Sequence, residues 1–380
     1  MGFEAGFGNG SLEVESGGKV LCNQLSVTSV SSGTGRVTVT GGQVNVNGAL
    51  NVSGDADPGD NIVVEAAGQL IAKSLRLGNE STSDVALIAV RDGVGNQLSS
   101  LTIENGANNA DCLIAAAGSG TLALANNATL LIFGSAKVGD SPGNVGLLEI
   151  GGGCSATIVG NVDVGGSGPG TISLLTATSE LNVGGSAEIN NQGRVEGIGT
   201  FTGIRIRNPG GFVSPGLSPG TLTINGDYEQ GEGGTLIIEV AGLEPGQFDV
   251  LHVTGNAALA GSVELRFIDG FVPKPGDSVD FVQVDGTLTG KLSGSTLVDT
   301  GDGSAQAEIA WEVTDAGTCR LIVTDVTALD AVGDPLSSPA DCGAGLCGAG
   351  VVPMLPLMCV GLAALRQCFQ RRFKVARRCV

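Results

Sequence analysis

The chain has 380 residues, of which 64 are glycine, 42% are apolar and 3% are aromatic. The glycines follow no Gly-X-Y period, which excludes a collagen-like chain, and the apolar content suffices for a buried core, which excludes a wholly disordered one. The formal net charge of −19 disfavours nucleic acid as a partner, and we expect none, because an acidic surface repels phosphate groups.

The N-terminal residues, MGFEAGFGNGSLEVESGG, contain no basic segment followed by an apolar one. They therefore do not have the pattern of a secretory signal peptide. Their alternation of glycine with apolar residues resembles the interior of a repeat. We expect the natural start of the protein, with its export signal, to lie further upstream.

Residues 1–200 consist of short runs of alternating apolar and polar residues, separated by glycine pairs and Asn-Gly steps. Clear examples are SLEVESGGKVLC, RVTVTGGQVNVNGALNVSG and SELNVGGSAEINNQGRVEG. A period of two indicates half-buried β-strands, and glycine or asparagine at the breaks suits tight turns. Two or three such runs recur about every 20 residues, which predicts a β-solenoid.

In such a solenoid each turn places Val, Leu or Ile inward and Thr, Ser, Asn or Glu outward, and stacked turns bury the core. The single Trp and single Tyr agree with a narrow core of branched aliphatic side chains. A β-sandwich is the competing all-β fold, although sandwiches more often have longer strands and more aromatic residues. Before residue 340 the sequence has no helical period, so we expect no helix there.

Residues 201–325 have longer alternating runs and several Pro-Gly steps, which suit turns with proline in the second position and glycine in the third. We expect this region to close the solenoid as a β-rich cap. Residues 326–350 are small and polar, which predicts a flexible linker. Within the linker, Cys342 and Cys347 are near enough in sequence to form a local disulfide. The other single cysteines of strand-like runs, where we expect buried thiols, are Cys22, Cys112, Cys154 and Cys319.

Residues 351–380 combine an uncharged apolar run, VVPMLPLMCVGLAAL, with a basic tail, RQCFQRRFKVARR. We expect a short C-terminal hydrophobic helix, weakened near its start by Pro353 and Pro356. Bases that follow an apolar segment remain in the cytoplasm, which predicts a membrane contact with the tail inside and the acidic body outside. A buried helix of the main domain is the alternative. The basic residues of the tail are Arg366, Arg371, Arg372, Lys374, Arg377 and Arg378.

The candidate metal ligands are Asp55, Asp57 and Asp60, whose carboxylate oxygens suit Ca²⁺. A solvated turn is the alternative, because the segment matches neither the EF-hand loop nor a calcium-binding repeat. We expect no other cofactor. The sequence presents no catalytic motif, so we expect no catalytic residues and no enzyme activity.

Two further polar features are candidate sites. Asp299 and Asp302 lie close together in DTGDGS, as calcium ligands or as a solvated turn. His252 is the only histidine and lies in the strand-like run DVLHVTG, where we expect a structural role. Carboxylate pairs for glycoside hydrolysis form in space rather than in sequence, so the sequence leaves that alternative open.

The runs SPGLSPGTLTINGDYEQGEGGTLIIEV, FDVLHVTGNAALAGSVELRFIDGF and PGDSVDFVQV, within residues 208–285, resemble the C-terminal part of autotransporter-type passenger domains. The upstream repeats are similar to the strand repeats of those passengers. This resemblance implies a right-handed parallel β-helix that is exported and displayed at the cell surface. The apolar segment with its basic tail resembles exosortase-type sorting signals of Gram-negative and planctomycete-like bacteria, although it lacks their Pro-Glu-Pro motif. That second resemblance implies a sorting or processing enzyme as a partner.

These observations predict a non-enzymatic bacterial protein of the cell envelope, on the outer surface or secreted, with a structural or adhesive role. Its C-terminal tail would be cytoplasmic before any processing. An extracellular glycan or another surface protein is the expected ligand. The alternatives are a secreted carbohydrate-active β-helix enzyme, of the polysaccharide lyase or hydrolase type, and a fragment of a larger autotransporter.

Overall fold

The structure, a computed structural model, describes residues 10–27, 35–54, 61–78, 85–91, 98–104 and 111–329. These residues form β-strands, turns and bends and contain no α-helix. The all-β class predicted from the sequence is therefore confirmed. The predicted hydrophobic helix of residues 351–380 and residues 330–350 of the predicted linker lie outside the described residues.

The strands of the described residues, in chain order, are β1 (Gly10–Val14), β2 (Lys19–Cys22), β3 (Leu25–Val27), β4 (Gly35–Thr40), β5 (Gln43–Val52), β6 (Ile62–Glu65), β7 (Gln69–Leu77), β8 (Val85–Arg91), β9 (Ser100–Ile103), β10 (Asp111–Ile114), β11 (Ser119–Ala125), β12 (Thr129–Ile132), β13 (Ser135–Val138), β14 (Gly146–Ile150), β15 (Ser155–Ile158), β16 (Val162–Val164), β17 (Gly170–Leu174), β18 (Glu180–Ile189), β19 (Gly193–Gly197), β20 (Thr200–Asn208), β21 (Phe212–Pro215), β22 (Thr221–Gln230), β23 (Thr235–Val240), β24 (Val250–Val253), β25 (Ala257–Leu259), β26 (Ser262–Phe267), β27 (Ser278–Val284), β28 (Leu288–Gly290), β29 (Ser293–Gly294), β30 (Leu297–Asp299), β31 (Ala305–Val313) and β32 (Thr318–Ala328).

The strands stack as a parallel β-solenoid, as predicted. The first sheet contains 12 strands and the second contains 20. From β1 to β28, each strand of the first sheet is followed along the chain by either one long strand or two short strands of the second sheet. Pairing in the first sheet is parallel throughout the described residues. Gly120, Gly146, Gly170 and Gly193 lie in register in successive turns, 26, 24 and 23 residues apart. The turn is longer than the predicted repeat because residues between the strands form its corners.

Each turn has three faces, which we number along the chain. The first face is the first sheet. The second face consists of β2, β9, β12, β15, β24, β27 and the first halves of β5, β7, β18, β20 and β22. The third face consists of β3, β10, β13, β16, β25, β28 and the second halves of the same long strands. Each long strand except β7 carries a glycine between its halves, and register shifts mark this junction in several pairings.

The core is built from columns of apolar side chains that point inward in successive turns. Leu181, Phe201 and Ile224 form part of such a column on the second face, in register and buried. Strand alternation explains this arrangement, because every second residue points to the same side of a strand. Burying a side chain of this size stabilises the fold by about 1.5–3 kcal/mol, and only stacked turns can bury it.

The junction between the second and third faces, here called the glycine corner, is stacked through the backbone. The amide nitrogen of Gly160 donates to the carbonyl oxygen of Gly134 at 2.9 Å, and Gly185 donates to Gly160 at 3.0 Å. Gly286 donates in the same way to Gly255 at 3.1 Å. This repeated contact explains why glycine recurs at the corner, because a side chain here would clash with the preceding turn.

The C-terminal end of the described solenoid is covered by antiparallel strands. Parallel stacking continues past residue 201 as far as β29, while β27 pairs antiparallel with β32, and β32 pairs with β31. Asp280 accepts two hydrogen bonds from the Arg320 guanidinium, at 2.6 and 2.9 Å. Phe281 and Trp311 pack edge to face, with ring centroids 5.7 Å apart. Together these contacts form a β-rich cap, although parallel stacking occupies most of residues 201–325, the region that the sequence assigned to the cap.

Candidate functional site: a groove on the third face

Charged side chains on the third face form a connected row across β18, β20 and β22. Glu188, Arg207 and Glu229 point outward in register in successive turns. Arg207 Nη1 lies 2.8 Å from Glu188 Oε1, and Arg207 Nε lies 3.6 Å from Glu229 Oε2. Arg205 also binds Glu229, and this contact holds the pKa of the Glu229 carboxyl below its usual range. Exposed pairs contribute less than about 1 kcal/mol each, so the row mainly sets the charge pattern of this face.

A groove of about 600 Å³ lies beside this row, and its lining includes Ile204, Arg205, Glu229, Ala258 and Thr289. The groove exists because the outward side chains become shorter toward the cap. Glu229, Ala258 and Thr289 occupy equivalent positions in successive turns. The long Glu229 thus forms a wall, and the short side chains form the floor. Ile204 projects at the glycine corner and is 76% exposed.

Along the glycine corner, the edge of the groove is fixed by side chains that accept hydrogen bonds from backbone nitrogens of the next turn. Asp227 Oδ1 accepts from the backbone nitrogen of Asn256 at 2.8 Å, and Asn256 Oδ1 accepts from that of Thr287 at 3.0 Å. The same device occurs earlier, where Asn161 Oδ1 accepts from the backbone nitrogen of Ser186 at 2.9 Å. Because these acceptors are fixed by backbone donors, the polar edge of the groove is pre-organised.

The aromatic residue nearest the groove faces the core. Tyr228 is buried, its hydroxyl donates to Gln230 Oε1 at 2.8 Å, and burial raises the pKa of Tyr228. Gln230 Nε2 donates in turn to the carbonyl oxygens of Ala260 and Ser262, both at 3.1 Å. Tyr228 therefore has no exposed ring on which a sugar could stack. Its contribution is to hold the floor of the groove from inside.

The second face carries columns of hydroxyl and amide groups. Thr202, Asn225 and Thr254 are outward and adjacent in three successive turns. Thr254 Oγ1 donates to Asn225 Oδ1 at 3.0 Å, and Asn225 Nδ2 donates to Thr202 Oγ1 at 3.4 Å. These three residues thus form a ladder of uncharged polar groups, in contrast to the charged row of the third face.

The first face contains one pair of carboxylates that bears on the enzyme alternative. Glu149, Ser173 and Glu196 occupy equivalent positions in successive turns. One strand, β17, lies between the two glutamates, so their backbones are two strand spacings apart, about 9.5 Å. Ser173 Oγ donates to Glu196 Oε1 at 3.0 Å, and Arg194 pairs with Glu196. Partial burial, with a smaller contribution from Glu196, raises the pKa of Glu149.

Asp249 is a buried carboxyl group that binds two backbone segments. Its Oδ1 accepts from the nitrogen of Gly220 at 2.8 Å, and its Oδ2 accepts from that of Glu239 at 2.8 Å. Asp249 is 1% exposed, and burial raises its pKa to about 7 although both hydrogen bonds lower it. The group therefore ties the Pro-Gly turn before β22 to the first face.

We expect Asp249→Asn to change how the free energy of unfolding depends on pH. The folded pKa of about 7 lies above the unfolded value of about 3.9, so protonation favours the folded state. The stabilising contribution of Asp249 is complete below pH 4 and is lost as the pH rises through 7. The wild type should therefore lose stability relative to Asp249→Asn between pH 4 and 8, as measured by urea unfolding.

Asp302→Asn is the matched control, for which we expect the opposite dependence of the free energy of unfolding on pH. Hydrogen bonds from Ser304 and Thr300 lower the pKa of Asp302, so its contribution is present at neutral pH and lost as the pH falls below about 4. Equal stability differences for Asp249→Asn at pH 5 and 8 would contradict the prediction.

The structure separates the predicted site residues into two groups. Asp55, Asp57 and Asp60, the cysteine pair Cys342 and Cys347, and the predicted sorting residues lie outside the described residues. These sorting residues are Pro353, Pro356, Arg366, Arg371, Arg372, Lys374, Arg377 and Arg378. Within the described ranges, no group of three or more His, Cys, Asp or Glu side chains is placed to hold a metal ion. The same ranges contain no helix long and apolar enough to cross a membrane.

The other residues singled out in the sequence have defined surroundings. Cys22, Cys112, Cys154 and Cys319 are all buried, as predicted. His252 is half-buried on β24, with Nε2 3.1 Å from Asp285 Oδ1. Its carboxylate partner is the residue one turn later rather than the neighbouring Asp249. Asp299 accepts from Gln306 Nε2 at 3.0 Å.

Models of protein families and curated protein sequences give no match to this chain. The groove was missed by the sequence interpretation, although a signal for it exists. In RIR, Arg205 and Arg207 are two residues apart, and one turn later DYE places Asp227 and Glu229 with the same spacing. On strands, this spacing puts each pair on one face, and the turn length brings the two pairs together.

Proposed function

We propose that this protein is a non-enzymatic bacterial β-solenoid of the outer cell surface or the secreted fraction, with a structural or adhesive role. Residues 351–380 would sort or retain it, with the basic tail cytoplasmic before processing. The observation that carries this proposal is the pattern of the second and third faces. Polar groups repeat there from turn to turn, and repeated weak contacts suit multivalent attachment.

The charge distribution supports the same orientation. Six of the 19 basic residues lie in the C-terminal tail, which leaves 13 against 38 acidic residues, a net charge of −25 for the rest of the chain. Such a body is repelled by anionic lipid, while the tail is attracted to it. The two parts of the chain therefore favour opposite sides of a membrane.

Cell fractionation with mass spectrometry of the mature C-terminus tests the sorting proposal. We expect the protein in the outer-surface or secreted fraction, cleaved between residues 342 and 356. An intact tail in the inner membrane would indicate a permanent anchor instead. A variant with glutamine at all six basic positions of the tail should lose this localisation, and a cytoplasmic wild-type protein would contradict the proposal.

A secreted carbohydrate-active enzyme is the second candidate, because of Glu149 and Glu196. A carboxyl group with a raised pKa opposite a second carboxylate suits general acid–base chemistry on a glycosidic bond. The test is release of reducing ends or unsaturated products from polysaccharides by the wild type and by Glu149→Gln. Turnover that Glu149→Gln abolishes would favour the enzyme, and the absence of turnover on every glycan tested would favour the adhesive protein.

A further inference from the structure

We infer that the groove on the third face binds a short segment of a neutral polysaccharide. This inference rests on the proposed surface function and names the chemical class of its ligand. It concerns residues of β20, β22, β25 and β28, which are separate from the carboxylate pair of the first face.

The lining of the groove complements the two surfaces that a sugar presents, the apolar C–H face of the ring and the hydroxyl groups. The floor is apolar, formed by Ala258 and the methyl group of Thr289, and Ile204 adds an exposed aliphatic side chain at the corner. The C–H face of a pyranose ring packs on such groups. A cavity of about 600 Å³ with an apolar floor and a few convergent polar groups has the usual character of a ligand site.

The polar groups of the wall match the hydroxyls of a sugar. Glu229 offers carboxylate acceptors, and Arg205 offers guanidinium donors beside it. Asp227 and Asn256, already fixed by backbone donors, add oxygen acceptors at the corner. Hydroxyl groups donate and accept, so they can bind both members of the Arg205–Glu229 pair.

The charge balance of the groove disfavours ionic ligands. The positive charge of Arg205 is already paired with Glu229, and Asp227 adds a second negative charge. An anionic polysaccharide would meet this charge and the acidic body around it.

The repeat of the solenoid suits a polymer rather than a single sugar. Equivalent side chains recur about every 4.8 Å from turn to turn, so an extended chain along the axis meets polar groups at each turn. The charged row from Glu188 to Glu229 lies in the same outward column as Ala258 and borders the groove on its N-terminal side. Affinity should therefore increase with the length of the oligosaccharide.

Calorimetric titration of the 380-residue chain with neutral hexasaccharides tests the inference. The probes are β-1,4-linked glucose, mannose and N-acetylglucosamine hexamers and an α-1,4-linked glucose hexamer, with a hexauronate as the anionic comparison. We expect at least one neutral hexamer to bind, more tightly than its trimer. Failure of all neutral hexamers at millimolar concentration, or tighter binding of the hexauronate, would overturn the inference.

Ala258→Tyr fills the floor of the groove with a large side chain at an exposed position. We expect it to weaken binding by about 10-fold or more. Ser26→Tyr is the matched control, because Ser26 is also a small exposed residue, in the same outward column of the third face near the N-terminal end. It should leave the affinity within about 2-fold.

Arg205→Gln provides a test that does not depend on tolerance of a large side chain. It removes the guanidinium donors and should weaken binding about 10-fold, since bonds to charged groups are among the stronger ones. Circular dichroism and thermal unfolding identify variants that do not fold. Wild-type affinity in folded Ala258→Tyr and Arg205→Gln would overturn the inference. If no glycan binds while fractionation places the protein on the surface, only the ligand is wrong and the proposed function stands.

Discussion

Phe201→Ala should lower the free energy of unfolding by about 3–5 kcal/mol. Phe201 is fully buried on the inner side of the second face, between Leu181 and Ile224 of the adjacent turns. Its removal loses the transfer free energy of the ring and leaves a cavity that two neighbouring turns line. The backbone of a paired strand cannot move far to fill that cavity. Urea unfolding followed by circular dichroism measures the effect.

Phe133→Ala is the matched control for this prediction. Phe133 lies at the glycine corner after β12 and is 47% exposed. Its substitution should change the free energy of unfolding by less than about 0.5 kcal/mol. Similar destabilisation by both variants would show that the two side chains are buried alike, contrary to the packing described above.

Gly226→Ala should destabilise the protein by about 3 kcal/mol or more, although it adds a single methyl group. The φ angle of Gly226 is +145°, and a Cβ atom there would lie 1.8 Å from the carbonyl oxygen of Gly203 in the preceding turn. Alanine would therefore be strained in its backbone and would also push two turns apart. Because each turn contacts only its neighbours, the separation cannot be shared along the solenoid.

Gly152→Ala separates this steric effect from the general loss of a glycine. At Gly152 the nearest atom to an added Cβ is Thr176 Cγ2 at 3.6 Å, an ordinary van der Waals distance. Alanine should be neutral there, or stabilising by up to about 1 kcal/mol through the unfolded chain. If Gly226→Ala were as stable as Gly152→Ala, the close approach of the turns at the glycine corner would be wrong.

The glycine corner also links stability to the groove. Gly226 immediately precedes Asp227, whose carboxylate fixes the polar edge of the groove. Gly203 precedes Ile204, which projects beside the same edge. Separation of the two turns at this corner would move both groups. We therefore expect Gly226→Ala to weaken glycan binding together with stability, whereas Arg205→Gln should affect binding with little loss of stability.

Which side chains point into the core could be predicted from the sequence, because this depends only on alternation within each strand. In GGRVEG and TLTINGDYEQ, alternation by itself assigns Val195, Leu222 and Ile224 to the core, and the structure buries all three. The longer runs after residue 201 indicate β-strands, but most of these strands continue the parallel stacking instead of forming the cap. The position of the antiparallel pairing could not be predicted, because Asp280 and Arg320 are 40 residues apart and nothing local specifies their register.

The sequence by itself determined the fold class of this protein, because alternation with a period of two, interrupted by glycine, indicates stacked β-strands around a narrow aliphatic core. Only the tertiary structure decided where its chemistry lies. Arg205, Asp227, Ala258 and Thr289 come together because a turn of the solenoid brings residues of successive repeats side by side. The physical reason is that the length of each turn, including its corners, sets which outward side chains are neighbours. That length depends on contacts between turns, which a pattern read along one strand does not contain.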